Sequence, residues 1–322
     1  MATQSQTITN VTGHNQLSAE DKTFYERTLL QRLLPQLNFY NDAEKKKLPK
    51  NSGTTMNFRK FNSLTAPSSS LTEGVTPDGN NLSITTINAK VAQEGDYVQI
   101  TDFIQTTGID PVLTETSELL GEEAALVVDD RIQTAISKGT NVYFAGGATT
   151  RAGLESATTK NLTGDDIKKI VRKLKNANAK RFADGYYHMV VDPDIAYDLM
   201  SDRDAWVDVS KYAKPEQMVK GELGKMHGMK FFESTNIKVV DSSDTAQSKI
   251  SVHIAFAYGK GAYSCVNLEN GAGKPEIIVK ENGSAGTADP LNQRATAGWK
   301  AAFTAVITEP LALVRVETGV KA

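Results

Sequence analysis

The sequence predicts an α+β fold, and three observations predict it. A long helical pattern runs from Asp110 toward Gly139. Helix and strand patterns then alternate from Thr163 to Gly259. Strand patterns return from Pro275 to the end of the chain. With 322 residues the chain exceeds one small core and suggests two domains, or one elongated subunit with two lobes.

Residues 1 to about 16 are polar and small and read as a flexible arm. Ser18 then opens a helix, with Asp21 three residues on in the manner of a capping box. Phe24, Leu29, Leu30, Leu33 and Leu34 give that helix a broad apolar face, which Pro35 interrupts. Lys45, Lys46, Lys47 and Lys50 follow and read as a solvated basic loop. The N-terminal unit so defined covers residues 1–50.

Residues 51–104 read as an extended β-hairpin loop. Thr55, Asn57, Arg59 and Phe61 alternate with Met56, Phe58 and Lys60, and Pro77-Asp78-Gly79 signals a turn. The return strand, LSITTINAKVAQEGDYVQITDFI, is too polar to form a core alone. The tip of such a hairpin has to touch something else.

Within 105–160, Asp110 and Pro111 open the long helix, an N-cap residue before a proline at the first helical position. Leu113, Leu120, Ala124, Val127, Val128, Ile132, Ala135 and Ile136 recur at helical spacing, and the helix is predicted to run to Lys138 with Gly139 as its stop. That makes a rod of roughly 40 Å. FAGGATTRAG after it reads as a loop.

Residues 161–275 read as an α/β lobe. Thr163 and Asp166 form a second capping box, before a stripe of Ile167, Ile170, Val171, Leu174 and Ala177. YYHMVVD is a short buried strand, Asp192-Pro193 caps another helix, and IKVVD and ISVHIAFAYG are strands. Residues 276–322 carry three more strands: PEIIVKEN, AGWKAAFTAVI and LALVRVE. In the second, Trp299, Ala301, Phe303, Ala305 and Ile307 share one apolar face, which is predicted to pack on the Leu120, Val127 and Ile132 stripe of the long helix.

Composition narrows the function. Hydrophobic residues are 39% and charged residues 23%, enough for a packed interior. The net charge of -2 gives no overall pull toward nucleic acid or anionic membrane, and little repulsion between copies. The single cysteine, Cys265, precludes an internal disulfide and reads as a small apolar filler. The polar start lacks the pattern of a secretory signal, and no stretch reaches the ~18 apolar residues of a membrane helix. A reducing cytosol is therefore the expected site of synthesis.

A search for chemistry finds little. The histidines are His14, His188, His227 and His253, and none has a second His or Cys at metal-ligand spacing. No G-x-S-x-G elbow occurs. The Gly-Lys pairs at Gly224, Gly259 and Gly273 lack the upstream glycine of a phosphate loop. Asp192, Asp194 and Asp198, or Asp202 and Asp204, invite a metal reading, but helix capping explains the first set. No catalytic, cofactor-binding or metal residue is assigned, and the chain is not expected to be an enzyme.

The order of segments resembles the major capsid protein of tailed bacteriophages, in the subgroup without a long N-terminal scaffold segment. Three stretches carry the resemblance: DPVLTETSELLGEEAALVVDDRIQTAI, MVVDPDIAYDLMSDRDAW with GKMHGMKFFESTNI, and DPLNQRATAGWKAAFTAVITEPLALVRVE. It implies an N-terminal arm, an extended β-hairpin loop, a long spine helix, an inserted α/β axial domain and returning peripheral-domain strands. It also implies a structural subunit that self-assembles, as pentamers and hexamers, into an icosahedral shell around double-stranded phage DNA. Portal, scaffolding or decoration proteins are implied as further partners, and no membrane. The expected location is the virion capsid, after assembly in the host bacterial cytoplasm. Arm and spine face inward in this reading, where Lys22, Arg27, Arg32, Lys45, Lys46, Lys47, Lys50, Arg59 and Lys60 can meet DNA. Alternatives are the shell of a bacterial nanocompartment, an α/β enzyme built on residues 160–262, and a tail or decoration protein.

Overall fold

The computed structural model describes residues 38–64, 66, 70, 73–76, 79–107, 112–155, 160–201, 207–208, 222–241, 251–268, 275–284 and 289–319. In chain order the first half contains α1 (Phe39–Asp42), β1 (Glu44–Leu48), β2 (Thr55–Phe61), β3 (Ile84–Lys90), β4 (Ala92–Thr101), α2 (Asp102–Thr107), α3 (Val112–Ile136), β5 (Val142–Phe144) and α4 (Ala152–Glu155). Then come α5 (Gly164–Asn176), β6 (Tyr187–Val191), α6 (Pro193–Met200), β7 (Val207–Asp208), β8 (Glu222–Met226), β9 (Met229–Glu233) and β10 (Val240–Asp241). The last strands are β11 (Ser251–Tyr258), β12 (Tyr263–Leu268), β13 (Glu276–Lys280), β14 (Arg294–Ile307) and β15 (Leu313–Thr318). This is the mixed α+β fold that the pattern predicts.

The long alternating run at the end of the chain becomes the centre of a sheet. β14 has 14 residues and pairs with β4, β13 and β12, and β1 adds in parallel to β12. Its odd-numbered residues face α3. The apolar positions Leu120, Ala124, Val128, Ile132 and Ile136 recur every four residues along α3 and are buried with Ala297, Trp299, Ala301 and Phe303 in one core. Trp299 is 4% exposed, so the predicted packing of strand on helix is found. β14 and β4 approach closely. A Cβ on Gly298 would lie 2.7 Å from the Tyr97 Cβ, and one on Gly95 only 2.5 Å from the Trp299 carbonyl oxygen. Glycine at both positions permits that approach.

The second sheet has eight strands, in the order β5-β15-β11-β6-β9-β8-β7 with β10 beside β11. It is buried on both faces, so its strands read as continuous apolar runs. In β11, Ile254, Phe256 and Tyr258 enter the core beneath α3, whereas Ala255 and Ala257 enter a second core. That second core is closed by α5, through Ile167, Ile170, Val171 and Leu174, and by α6, through Ile195, Ala196 and Leu199. Both predicted helix starts are built. Thr163 and Asp166 form a reciprocal capping box, and Asp192 Oδ1 accepts from the Ile195 N–H at 2.9 Å.

Several expectations are corrected. The Lys45–Lys47 run is strand β1, not a loop, because its backbone pairs with β12 and Leu48 is buried at its end. α3 stops at Ile136, where Lys138 and Gly139 bond back in tight turns and Arg315 takes the Ser137 carbonyl. β5 and α4 flank and enter the stretch read as a loop. GKMHGMKFFE is a β-hairpin, turned by His227 (φ 47°) and Gly228 (φ 87°), the two positive values that a tight hairpin turn demands. Only Val240 and Asp241 of IKVVD are paired. β12 has no counterpart in the sequence reading. The helix read at Ser18, the Asp110-Pro111 start, His14, Asp202 and Asp204 lie outside the described residues.

Candidate assembly surface

β2 and β3 form a separate two-stranded ribbon, in register from Thr55↔Lys90 to Phe61↔Ile84. Two strands alone are marginal in water. This ribbon is held at its base, where Leu48, Ala89 and Val266 make a small core with Met56, Phe58 and Val91 against it. Lys60 adds an ion pair to Glu309 in the turn before β15. Away from the base nothing among the described residues covers the apolar side chains: Phe61 is 63% exposed, Leu82 69%, and Leu64, Val75 and Ile84 are exposed as well. The paired Phe61 and Ile84 thus offer a solvated apolar rung that no described residue of the subunit buries.

The hairpin was expected over 51–104, whereas the ribbon ends at Lys90. The chain passes through Val91 and continues as β4, which lies along β14 from Ala92↔Phe303 to Thr101↔Arg294. Chain polarity explains the misreading: both halves are mostly exposed strands, so no hydrophobic contrast marks the change of sheet.

The titratable residues fall into structural clusters. His188 stacks on Phe182 at 3.8 Å, with Nδ1 2.8 Å from Asp42 Oδ2 and Nε2 3.1 Å from Asp184 Oδ2. Tyr258 donates to the same Asp42 oxygen, and Lys230 pairs with Asp184 at 3.1 Å. Burial acts to raise the Asp184 pKa, but the Tyr186 N–H, the His188 hydrogen bond and Lys230 outweigh it and hold the carboxyl low. This network fastens the end of α1 to β6 and β11.

His253 Nδ1 contacts Asp192 Oδ2, and Asp192, Asp194 and His253 present ligand atoms within 4.8 Å of one another. The Asp192 bond, opposed by burial, raises the His253 pKa. The imidazole is thereby biased toward its charged form. Asp192 caps α6 as the sequence reading proposed, and the positive end of a helix disfavours a further cation. Asp198 is buried on α6. His227 is an exposed turn residue. Gly224 lies in β8 and Gly259 in the turn after β11, so neither opens a phosphate loop. Cys265 is buried, and burial pushes its thiol up to about 11, as suits a core filler.

Sequence reasoning missed Asp129. It is 1% exposed beneath α1, where its Oδ1 accepts from the Phe39 N–H at 3.1 Å. Burial raises its pKa to about 6 against the Phe39 and Tyr40 N–H groups and Asn236, which lower it. Asp129 Oδ2, Gln133 Oε1 and Asn236 Nδ2 are buried without a full hydrogen bond, although Gln133 Nε2 donates to the Asn236 carbonyl at 3.2 Å. The signal was present: Asp129 and Gln133 directly follow Val128 and Ile132 on the apolar side of the helix.

Among the described residues no helix is long and apolar enough to cross a membrane. No curated protein matches the chain by sequence. Solved structures match over nearly its whole length. The capsid of Ralstonia phage GP4 aligns with a TM-score of 0.73 at 14% identity, covering 97% of this chain and 98% of that one. The capsid asymmetric unit of cyanophage Pam1 gives 0.67 at 14% identity, over 97% and 100%. The capsid of the Helicobacter pylori bacteriophage KHP30 gives 0.67 at 11% identity, over 98% and 99%. At such identities the likeness establishes the fold. A family model described as phage capsid protein matches residues 84–316, most of the chain, and the chain therefore belongs to the phage capsid protein family.

Proposed function

We propose that this chain is the major capsid protein of a tailed phage, a structural subunit whose copies close into an icosahedral shell around the phage genome. The observation that carries this reading is the β2–β3 ribbon, whose Phe61, Leu82 and Ile84 have no cover among the described residues of the subunit. A neighbouring copy supplies it. In this reading the eight-stranded sheet and its helices form the axial domain, which meets its copies around the five-fold and six-fold axes of pentamers and hexamers. The five-stranded sheet with α3 forms the peripheral domain and spine. Double-stranded DNA lies against an inner face that carries the lysines and arginines of the first sixty residues. Portal, scaffolding or decoration proteins complete the particle, which assembles in the host bacterial cytoplasm. The role is structural, with no catalytic step. Negative-stain imaging of the purified protein tests the reading directly: closed shells of uniform size are expected, and a persistent monomer or small oligomer overturns it.

A further inference from the structure

The two helices that close the second core carry opposite charge. α5 leaves Lys168, Lys169, Arg172, Lys173 and Lys175 exposed, and its acids sit in the first turn. There Asp165 pairs with Lys168 at 2.9 Å and Asp166 with Lys169 at 3.2 Å. Arg172 and Lys175, one turn apart, have no ion pair among the described residues. α6 contains no Lys or Arg. It exposes Asp194, Tyr197 and Met200, with Tyr197 70% and Met200 39% exposed and the Asp194 side chain 64% exposed. The faces occupy different parts of the sheet. α5 lies by the β5 edge, where Lys173 Nζ reaches the Val142 carbonyl at 3.2 Å. α6 leaves the end of β6 beside β11, where Asp192 meets His253.

We propose that the exposed face of α6 docks on the exposed face of α5 in a neighbouring copy, a contact that rests on the shell reading above and specifies which surfaces make it. A solvated Tyr beside Met has the composition of an interface anchor rather than of a free surface, and Asp194 adds the charge that selects a cationic partner. A guanidinium can accept both halves of that anchor, pairing with a carboxylate and stacking on a ring. The spacing agrees. Asp194 and Tyr197 are three residues apart, as are Arg172 and Lys175, about 4.5 Å along each helix axis. Two different patches on one chain make a head-to-tail contact, which forms a ring where its rotation closes. Nucleic acid accounts for the basic face of α5 but leaves the acidic, aromatic face of α6 without a role.

Charge reversal of the full chain tests this. Asp194→Arg and Arg172→Asp are each expected to cut the yield of closed particles at least tenfold. The melting midpoint of the unassembled subunit stays unchanged for Arg172→Asp, whose side chain is exposed, whereas Asp194 also lies 3.9 Å from His253, so its substitution is read by the recovery of yield in the double variant. The variant carrying both substitutions recovers most of the wild-type yield. Singles that assemble normally overturn the contact, as does a double variant no better than its parents. Arg172→Asp particles that form normally but lose affinity for a 30-base-pair duplex assign α5 to nucleic acid and also overturn it. Wild-type protein that forms no particles overturns the shell reading instead, so the two failures are distinguishable.

Discussion

The indole nitrogen of Trp299 donates a 3.3 Å hydrogen bond to Glu123 Oε2, so the largest side chain of β14 is tied to α3 by a polar bond at the rim of an apolar contact. The ring is buried with Leu120 and Ile132. Truncation to Ala removes both burial and bond and leaves a cavity, at a cost of about 3 to 5 kcal/mol. Trp299→Ala is expected to lower the thermal midpoint of the unassembled subunit by several degrees. Lys300→Ala, on the exposed side of the same strand, leaves it within a degree. An unchanged midpoint for Trp299→Ala contradicts the packing argument.

Deleting Pro67 to Asn80 shortens the segment of chain that joins β2 to β3. Because the ribbon is anchored at Leu48, Ala89 and Val266, the subunit is expected to keep its circular-dichroism spectrum and midpoint. Closed particles fail to form or become irregular by electron microscopy. Normal particles from the deletion variant refute the role given to the ribbon.

Asp129 sets a pH dependence of known sign. Its folded pKa of about 6 lies above the 3.8 of an exposed carboxyl. Below the lower value both states are protonated and there is no penalty. Between the two the unfolded chain ionises while the folded one keeps its proton, so this group destabilises the fold as pH rises. The full effect above pH 6 is about 3 kcal/mol from a shift of about two units. Asp129→Asn cannot titrate. The change in unfolding free energy between pH 4 and pH 7 is therefore expected to differ between variant and wild type by about 2 to 3 kcal/mol, measured by urea denaturation.

His253 acts in the opposite sense. Its pKa is raised in the folded state by Asp192, so the pair stabilises fully below the unfolded value near 6.5 and the stabilisation is lost as pH climbs through the folded pKa. His253→Gln is expected to be less stable than wild type at pH 6, with the gap narrowing by pH 9. A gap independent of pH across urea melts places the imidazole outside the ion pair.

Much of this was legible because local rules and tertiary structure agreed. Thr163 with Asp166, and Asp192 before Pro193, are capping signals that need no distant partner, and both helices start where they say. The four-residue recurrence from Leu120 to Ile136 and the alternation from Trp299 to Phe303 identify the two faces that meet. What was missed depends on pairing. Lys45–Lys47 form a strand only because β12 is beside them, and no property of three lysines encodes that. YSCVNL lacks the alternation of a half-buried strand, since Tyr263 through Val266 are all buried. The divisions 161–275 and 276–322 each straddle both sheets: β12 pairs with β14, whereas β15 pairs with β11. The candidate surface was legible in part, as a polar hairpin without a core, but its true length and the charges of α5 and α6 emerged only once burial assigned each side chain a side.

The position of β15 has a consequence for synthesis. It lies between the edge strand β5 and β11 of the eight-stranded sheet, yet it is the last described strand to leave the ribosome. Until residues 313–318 emerge, β11 and β5 have an open slot between them, and Val314 and Val316 are missing from the second core. The sheet beneath α5 and α6 cannot close on a growing chain. Such late, long-range pairing makes for slow folding. It also delays completion of this lobe until residues 313–318 have been translated. A chain cut short before Leu313 lacks the strand that joins β11 to β5 and cannot complete this lobe.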